Sequence, residues 1–185
     1  EAKKKYGLEG KFVAGYVGRH NEIKGYDILK EAAQKVLKQD ERICFLIGGL
    51  QGNVFQPLNH ERWIEAGWVN PADLFMAFDV FVLPNRMTYF DLVLLEAMSM
   101  GVPVIASRTG GNKTVQEHTD TLILYSNTAD ALAEEIIRFS QKTPEERDAA
   151  SRKIQLEYEQ NYTTMKFAQR YHKLLHQIYA DYHYI

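Results

Sequence analysis

The chain is expected to fold as an α/β domain with an open parallel sheet of about six strands and helices on both faces. Two observations predict this. Short, almost wholly apolar runs recur along the chain and end in Gly, Pro or Asn, as buried parallel strands do. Between them lie segments whose apolar residues repeat at helical spacing, and strands alternating with helices at this interval favour a parallel sheet covered on both sides.

The first strand is expected over residues 12–17, between Gly10 and Gly18. A loop with Arg19 and Lys24 follows, and Gly25 introduces a helix with Ile28, Leu29, Ala32, Ala33, Val36 and Leu37 on one side and Lys30, Lys35 and Lys38 on the other. The second strand covers residues 43–47 and ends in Gly48-Gly49. Residues 50–65 are irregular, with Gly52 and Pro57 marking a loop and residues 59–66 a short helix capped by Asn59. Residues 67–69, Gly-Trp-Val, read as a short strand and turn. Asn70-Pro71 then supplies a helix cap and first-turn pair before a helix over 72–78. Val80 opens a fourth strand to Leu83, broken by Pro84 and Asn85.

Residues 90–100 form a helix candidate apolar on nearly every side, expected to be buried on most of its surface. Within it Glu96 stands alone as an acid, and a carboxylate there requires partners or a ligand. Gly101 ends the helix, a strand follows over 102–106, and a turn ends in Gly110-Gly111. The remaining elements are a strand at 122–125, an amphipathic helix at 129–141 and two C-terminal helices within about residues 144–183. Thr143-Pro144-Glu145-Glu146 starts the first of these with a cap, a proline and two acids. The second, about 164–182, carries Phe167, Tyr171, Leu174, Ile178 and Tyr182 along one stripe, for which packing within the domain and crossing toward a partner domain remain open. His172 and His176 are spaced as metal-compatible helical neighbours, but no acidic motif accompanies them, so they are read as exposed histidines.

The 185 residues are 45% hydrophobic and 25% charged. That is enough for one domain with a sizeable core. The formal net charge of -2 and pI near 6.3 exclude the basic footprint of a nucleic-acid-binding domain. The lone cysteine, Cys44, lies in an apolar strand and has no intramolecular partner, which fits a reducing cytoplasmic compartment. No apolar run approaches the roughly 20 residues needed to span a bilayer, and the charged start EAKKKYGLEGK lacks the core of a signal peptide. With no Met at residue 1, the chain reads as part of a longer protein.

The stretch from Thr88 to Gly111, TYFDLVLLEAMSMGVPVIASRTGG, resembles the donor-binding signature of GT-B glycosyltransferases, specifically the retaining family 4, also called group 1. Glu96-Ala97-Met98, Gly101-Val102-Pro103-Val104-Ile105-Ala106 and Gly110-Gly111 all fit. Gly18-Arg19 and Lys24-Gly25 match the family's diphosphate-binding loop. The resemblance implies a Rossmann-like C-terminal half of a GT-B enzyme. It implies a nucleotide-diphosphate sugar as donor, no metal or other cofactor, and an acceptor glycan, lipid or polymer held by an N-terminal domain outside this chain. The full-length protein would then work in the cytoplasm or at the inner face of the membrane.

Carried onto these residues, the resemblance makes Arg19 and Lys24 the cations on the leaving diphosphate and Glu96 the acceptor of both ribose hydroxyls. Trp68 and Val69 lie where the family packs the base, with Trp68 filling the core as the alternative. Gly18, Gly110 and Gly111 line the donor site, where Lys113 is either a third phosphate cation or a solvated loop lysine. Two positions depart from the pattern: Thr88 stands where the family has its first glutamate, and Asp91 where it has a glycine. One reading makes Thr88 and Asp91 a helix capping box. The other makes Asp91 the replacement carboxylate at the sugar, tolerable beside a diphosphate only if Arg19 and Lys24 screen it. Accordingly, a non-catalytic GT-B-like module that partners or activates an active enzyme stands as the alternative to a transferase.

Overall fold

The computed structural model describes residues 1–50, 56–118 and 121–182. Its strands are β1 (Phe12–Val17), β2 (Ile43–Gly48), β3 (Trp63–Gly67), β4 (Val80–Leu83), β5 (Val104–Ser107) and β6 (Ile123–Tyr125). Its helices are α1 (Ala2–Lys5), α2 (Tyr26–Gln39), α3 (Pro71–Phe75), α4 (Leu92–Ser99), α5 (Gly110–His118), α6 (Ala129–Ser140), α7 (Pro144–Asn161) and α8 (Thr164–Tyr182).

The six strands form one sheet in the order β3-β2-β1-β4-β5-β6, and every adjacent pair is parallel. The expected α/β architecture is therefore present. The chain winds outward from β1 to β3, then crosses to β4 and winds the other way, so the switch point lies between β1 and β4. In such sheets a ligand crevice opens there, outside the carboxyl ends of the strands.

Alternation along the strands divides the core. Phe12, Ala14, Tyr16, Ile43, Phe45 and Ile47 face one side, where α2 and α6 cover them with Leu29, Val36, Leu132 and Ile136. Val13, Cys44, Leu46, Phe81, Leu83 and Val104 face the other, beneath Leu74 and Phe75 of α3, Leu94, Ala97 and Met98 of α4, and Ile154 of α7.

Several expectations are corrected. The helix expected over residues 59–66 is replaced by edge strand β3, Trp63 to Gly67, with Phe45 opposite Trp63 and Leu46 opposite Ile64. The open edge of β2 offers main-chain partners that a lone helical turn lacks. Arg62 fastens the entry by donating to the carbonyls of Asp40 (2.7 Å), Ile43 (3.1 Å) and Leu37. The last of these is among the final carbonyls of α2, which have no partner within the helix. The Gly52 end of the expected loop lies outside the described residues. Helices α1 and α5 lack a counterpart in the sequence pattern, and α4 starts at Leu92 rather than residue 90.

The capping box before α7 forms as expected. Glu146 N donates to Thr143 Oγ1 (3.2 Å) and Thr143 N donates to Glu146 Oε2 (2.7 Å). By contrast, the stripe on α8 is uncovered, with Phe167 68% and Tyr182 74% exposed. Among the described residues no helix is long and apolar enough to cross a membrane.

Candidate functional site

The loops that follow β1, β2 and β3 are zipped together at the carboxyl edge. Gly18 N donates to Gly48 O (3.0 Å), and Gly49 N donates to Gly67 O (2.9 Å). The β1–α2 loop is shaped by Asn21, whose Oδ1 accepts from Lys24 N (2.9 Å) in a side-chain turn. Gly25 then takes a left-handed conformation, φ +67°, and lies so close to β4 that a Cβ there would be 1.8 Å from the carbonyl oxygen of Pro84. Glycine alone tolerates both conditions without strain. The two sides of the switch point are clamped at this contact. Arg86, just past β4, adds a bidentate pair to Asp27 of α2 at 2.5 Å for both bonds and donates from its backbone to Ile23 O (2.9 Å). Such paired, charge-assisted bonds are among the strongest in proteins. That pairing holds the Asp27 carboxyl below the usual carboxylate range.

The clamp brings Lys24 to Asp91. Lys24 Nζ lies 2.6 Å from Asp91 Oδ1, and the Asn85 amide donates to Asp91 Oδ2. Asn85 is fully buried, its carbonyl accepting from Ser107 Oγ (2.6 Å) and Asn127 Nδ2 (3.1 Å). Asp91 occupies the N-cap position of α4, but its side chain makes no capping hydrogen bond. The Thr88–Asp91 capping box, one of the two readings of this pair, is therefore absent, because Oδ1 is engaged across the crevice by Lys24 and Oδ2 by Asn85 of its own loop. The Arg19 side chain is exposed and makes no hydrogen bond or ion pair with the described residues.

Six of the eight residues of helix α4 are buried or half-buried, as expected of a helix apolar on nearly every side. Leu94, Ala97 and Met98 are buried, Leu92 is 71% exposed, and Glu96 is exposed with no side-chain hydrogen bond or ion pair to the described residues. The sheet and α7 together cover the helix, with Val93, Leu95 and Ser99 half-buried, and leave the side that carries Leu92 and Glu96 open.

Gly110 and Gly111 begin α5 and receive the segment just before α4. Gly111 N donates to Tyr89 O (2.7 Å), and a Cβ at Gly110 would be 1.7 Å from the Thr88 carbonyl oxygen. The glycine pair thus holds the chain's own loop, with Thr88 half-buried against it. Lys113 is exposed on α5. Trp68, just past β3, is 78% exposed, which overturns the core-filling alternative, whereas Val69 is half-buried and packs on the α3 side of the sheet.

A buried polar cluster behind the Arg19 loop had no clear signal in the sequence. The His20 ring stacks on Tyr26 (4.1 Å, 10°) with Nε2 3.7 Å from Glu65 Oε2. Glu65 Oε1 accepts from the Tyr26 hydroxyl (2.7 Å) and Trp63 Nε1 (2.8 Å). Burial depresses the pKa of His20, opposed by the nearby Glu65 carboxylate, and burial raises that of the Tyr26 phenol, reinforced by its bond to Glu65. The hint available was Glu65 itself, a lone acid in the run WIEAG.

Residues 11–142 match the model of the glycosyl transferases group 1 family. The chain is 30% identical over 166 residues to the putative teichuronic acid biosynthesis glycosyltransferase TuaC of Bacillus subtilis (strain 168), covering 86% of this chain and 42% of that one. It is 26% identical over 190 residues to the N-acetyl-alpha-D-glucosaminyl L-malate synthase of Bacillus anthracis, covering 98% and 50%. The chain thus spans half or less of the length of these curated relatives. Among solved structures, Anabaena Alr3699/HepE in complex with UDP and glucose superposes with a TM-score of 0.79 at 22% identity, covering 95% of this chain and 51% of that one. The C-terminal domain of the group 1 family protein LpcC from Francisella tularensis superposes with a TM-score of 0.76 at 18% identity, covering 88% and 92%. The chain therefore belongs to the glycosyl transferases group 1, as a domain with the Rossmann-like GT-B fold.

Proposed function

We propose that this domain holds the nucleotide-diphosphate-sugar donor of a retaining glycosyltransferase. The acceptor, a cell-envelope glycan, lipid or polymer, would be held by an N-terminal domain of the full-length protein, acting in the cytoplasm at or near the inner face of the membrane. The observation that carries this reading is the switch-point crevice, where Arg19 and Lys24 lie on the loop after β1 and Glu96, exposed and without a side-chain partner among the described residues, lies on the helix after β4.

The chemistry follows from charge. When the bond from the anomeric carbon to the phosphate oxygen breaks, the leaving nucleoside diphosphate gains negative charge, and fixed cations stabilise it most in the transition state. Arg19 offers a planar fork and Lys24 a point charge, so the transfer is proposed to need no metal. Glu96 would accept from both ribose hydroxyls. Trp68 and Val69 would border the base, Gly18 would admit the diphosphate, Thr88 and Asp91 would reach the sugar, and Gly110 and Gly111 would position the Thr88 loop. Lys113 would add positive charge near the crevice. A uracil base is the first choice, since the HepE structures include complexes with UDP and UDP-glucose.

Calorimetric titration with UDP, GDP and ADP, and then with their sugar conjugates, tests the reading. One nucleotide should bind selectively, and affinity should fall on Glu96→Ala and on Arg19→Ala combined with Lys24→Ala. Binding that ignores these substitutions would refute it. The isolated domain should transfer no sugar, because the acceptor site is proposed to lie elsewhere. Thr88 in place of a carboxylate favours a second reading, a non-catalytic module that partners an active transferase. Nucleotide binding without turnover by the full-length protein would favour that one.

A further inference from the structure

We infer that Asp91 is a resident counter-anion of the crevice, which occupies Lys24 while the site is empty and exchanges it for a hydroxyl of the donor sugar when a diphosphate arrives. The inference rests on the donor-site reading above and assigns Asp91 as a specificity-determining residue within it.

An aspartate at a helix N-cap ordinarily turns its carboxylate onto the first free N–H groups of its own helix. Asp91 has the extended backbone of that position, φ -87° and ψ 118°, yet makes no such bond. Both oxygens are directed elsewhere, Oδ1 to Lys24 Nζ at 2.6 Å and Oδ2 to the Asn85 amide. The two anchors differ in kind. Asn85 is fully buried and fixed through its carbonyl by Ser107 and Asn127, so it holds the carboxylate in place. Lys24 has a side chain 28% exposed. A lysine stem is flexible, so its ammonium can turn to another anion without disturbing the strand ends.

The two cations of the crevice are therefore unequal. Arg19 has no side-chain partner among the described residues, whereas Lys24 is already neutralised. A nucleoside diphosphate reaching Lys24 competes with Asp91 for it. Once Lys24 transfers to the phosphate, Asp91 Oδ1 loses its donor but remains held through Oδ2, with its side chain only 13% exposed. A poorly solvated carboxylate then requires a new hydrogen-bond donor. Thr88, which supplies no carboxylate of its own, leaves Asp91 as the acid on this segment closest to the helix start. A neutral sugar with hydroxyls satisfies it; a sugar bearing its own carboxylate would be repelled.

The test is titration of the chain with UDP and with UDP-glucose as probes, comparing wild type, Asp91→Asn, Lys24→Met and the double variant, with Asp91→Ser as a second probe should the asparagine perturb folding. Asp91→Asn should bind UDP about three- to tenfold tighter, the scale of a partly exposed ion pair removed from competition. The gain should vanish in the Lys24→Met background, because the cycle isolates the pair. For UDP-glucose the gain should shrink or reverse, since the sugar contact is lost with the carboxylate. The inference is overturned if wild type binds UDP through Arg19 and Glu96 but Asp91→Asn leaves affinity and the UDP to UDP-glucose ratio unchanged. It is equally overturned if the gain persists without Lys24. Failure of the donor-site reading looks different: no variant then binds either probe, and Glu96→Ala changes nothing.

Discussion

Gly25→Ala probes how firmly the switch point is clamped, and its cost divides into two parts that a control separates. The first part is conformational. Gly25 sits at φ +67°, where an L-residue costs about 1 kcal/mol relative to glycine. The second is steric. The new methyl would lie 1.8 Å from the Pro84 carbonyl oxygen and 2.7 Å from its carbon. A carbon and an oxygen in contact normally sit about 3.3 Å apart. The end of β4 must therefore yield by more than about 1 Å, and forcing extra volume into a packed site costs about 1–3 kcal/mol. The expected total is about 3 kcal/mol. Gly10 has the same backbone conformation, φ +70°, with nothing within 4 Å of its would-be Cβ. Gly10→Ala should therefore cost about 1 kcal/mol. For a domain of this size each kcal/mol lowers Tm by about 2–4 °C. Thermal unfolding followed by circular dichroism should place Gly25→Ala about 6–12 °C below wild type and Gly10→Ala about 2–4 °C below. Equal losses in the two variants would refute the close approach across the crevice.

Burial depresses the pKa of His20 below its ordinary value of 6.5, against the pull of Glu65. The unfolded chain therefore takes up the proton first as pH falls. Stability from this site is complete above about pH 6.5 and is lost as pH drops toward the depressed folded value. His20→Phe should flatten the fall of Tm between about pH 7.5 and about pH 5.5, and a slope identical to wild type would show that the ring carries no such linkage. Ile154 is the buried residue of α7, and its truncation to Ala should cost about 2–5 kcal/mol. Phe167 lies on the uncovered face of α8, and Phe167→Ala should change stability by no more than about 0.5 kcal/mol. Urea midpoints compare the two, and similar losses would mean that α8 is packed in solution.

Much of this architecture is legible along the chain because its causes are local. Apolar runs closed by Gly18, Gly48 and Pro84 mark strands whose both faces are covered, and the spacing from Ile28 to Leu37 marks α2. Thr143-Pro144-Glu145-Glu146 forms its cap among four adjacent residues, so nothing distant could change it. Within the stretch from Thr88 to Gly111, the glycine pair Gly110-Gly111 meets Thr88 and Tyr89 at the carboxyl edge of the sheet. What tertiary structure decided depends on partners far apart in sequence. Trp63 to Gly67 became a strand because β2 had an open edge, and Trp68 stayed exposed because that strand ends at the rim. Glu96 is exposed because it lies on the side of α4 that neither the sheet nor α7 covers. Asp91 lost its role as a local cap because the clamp at Gly25 and Pro84 carries Lys24 within 2.6 Å of it. A charged partner across the crevice outcompetes the first amides of its own helix.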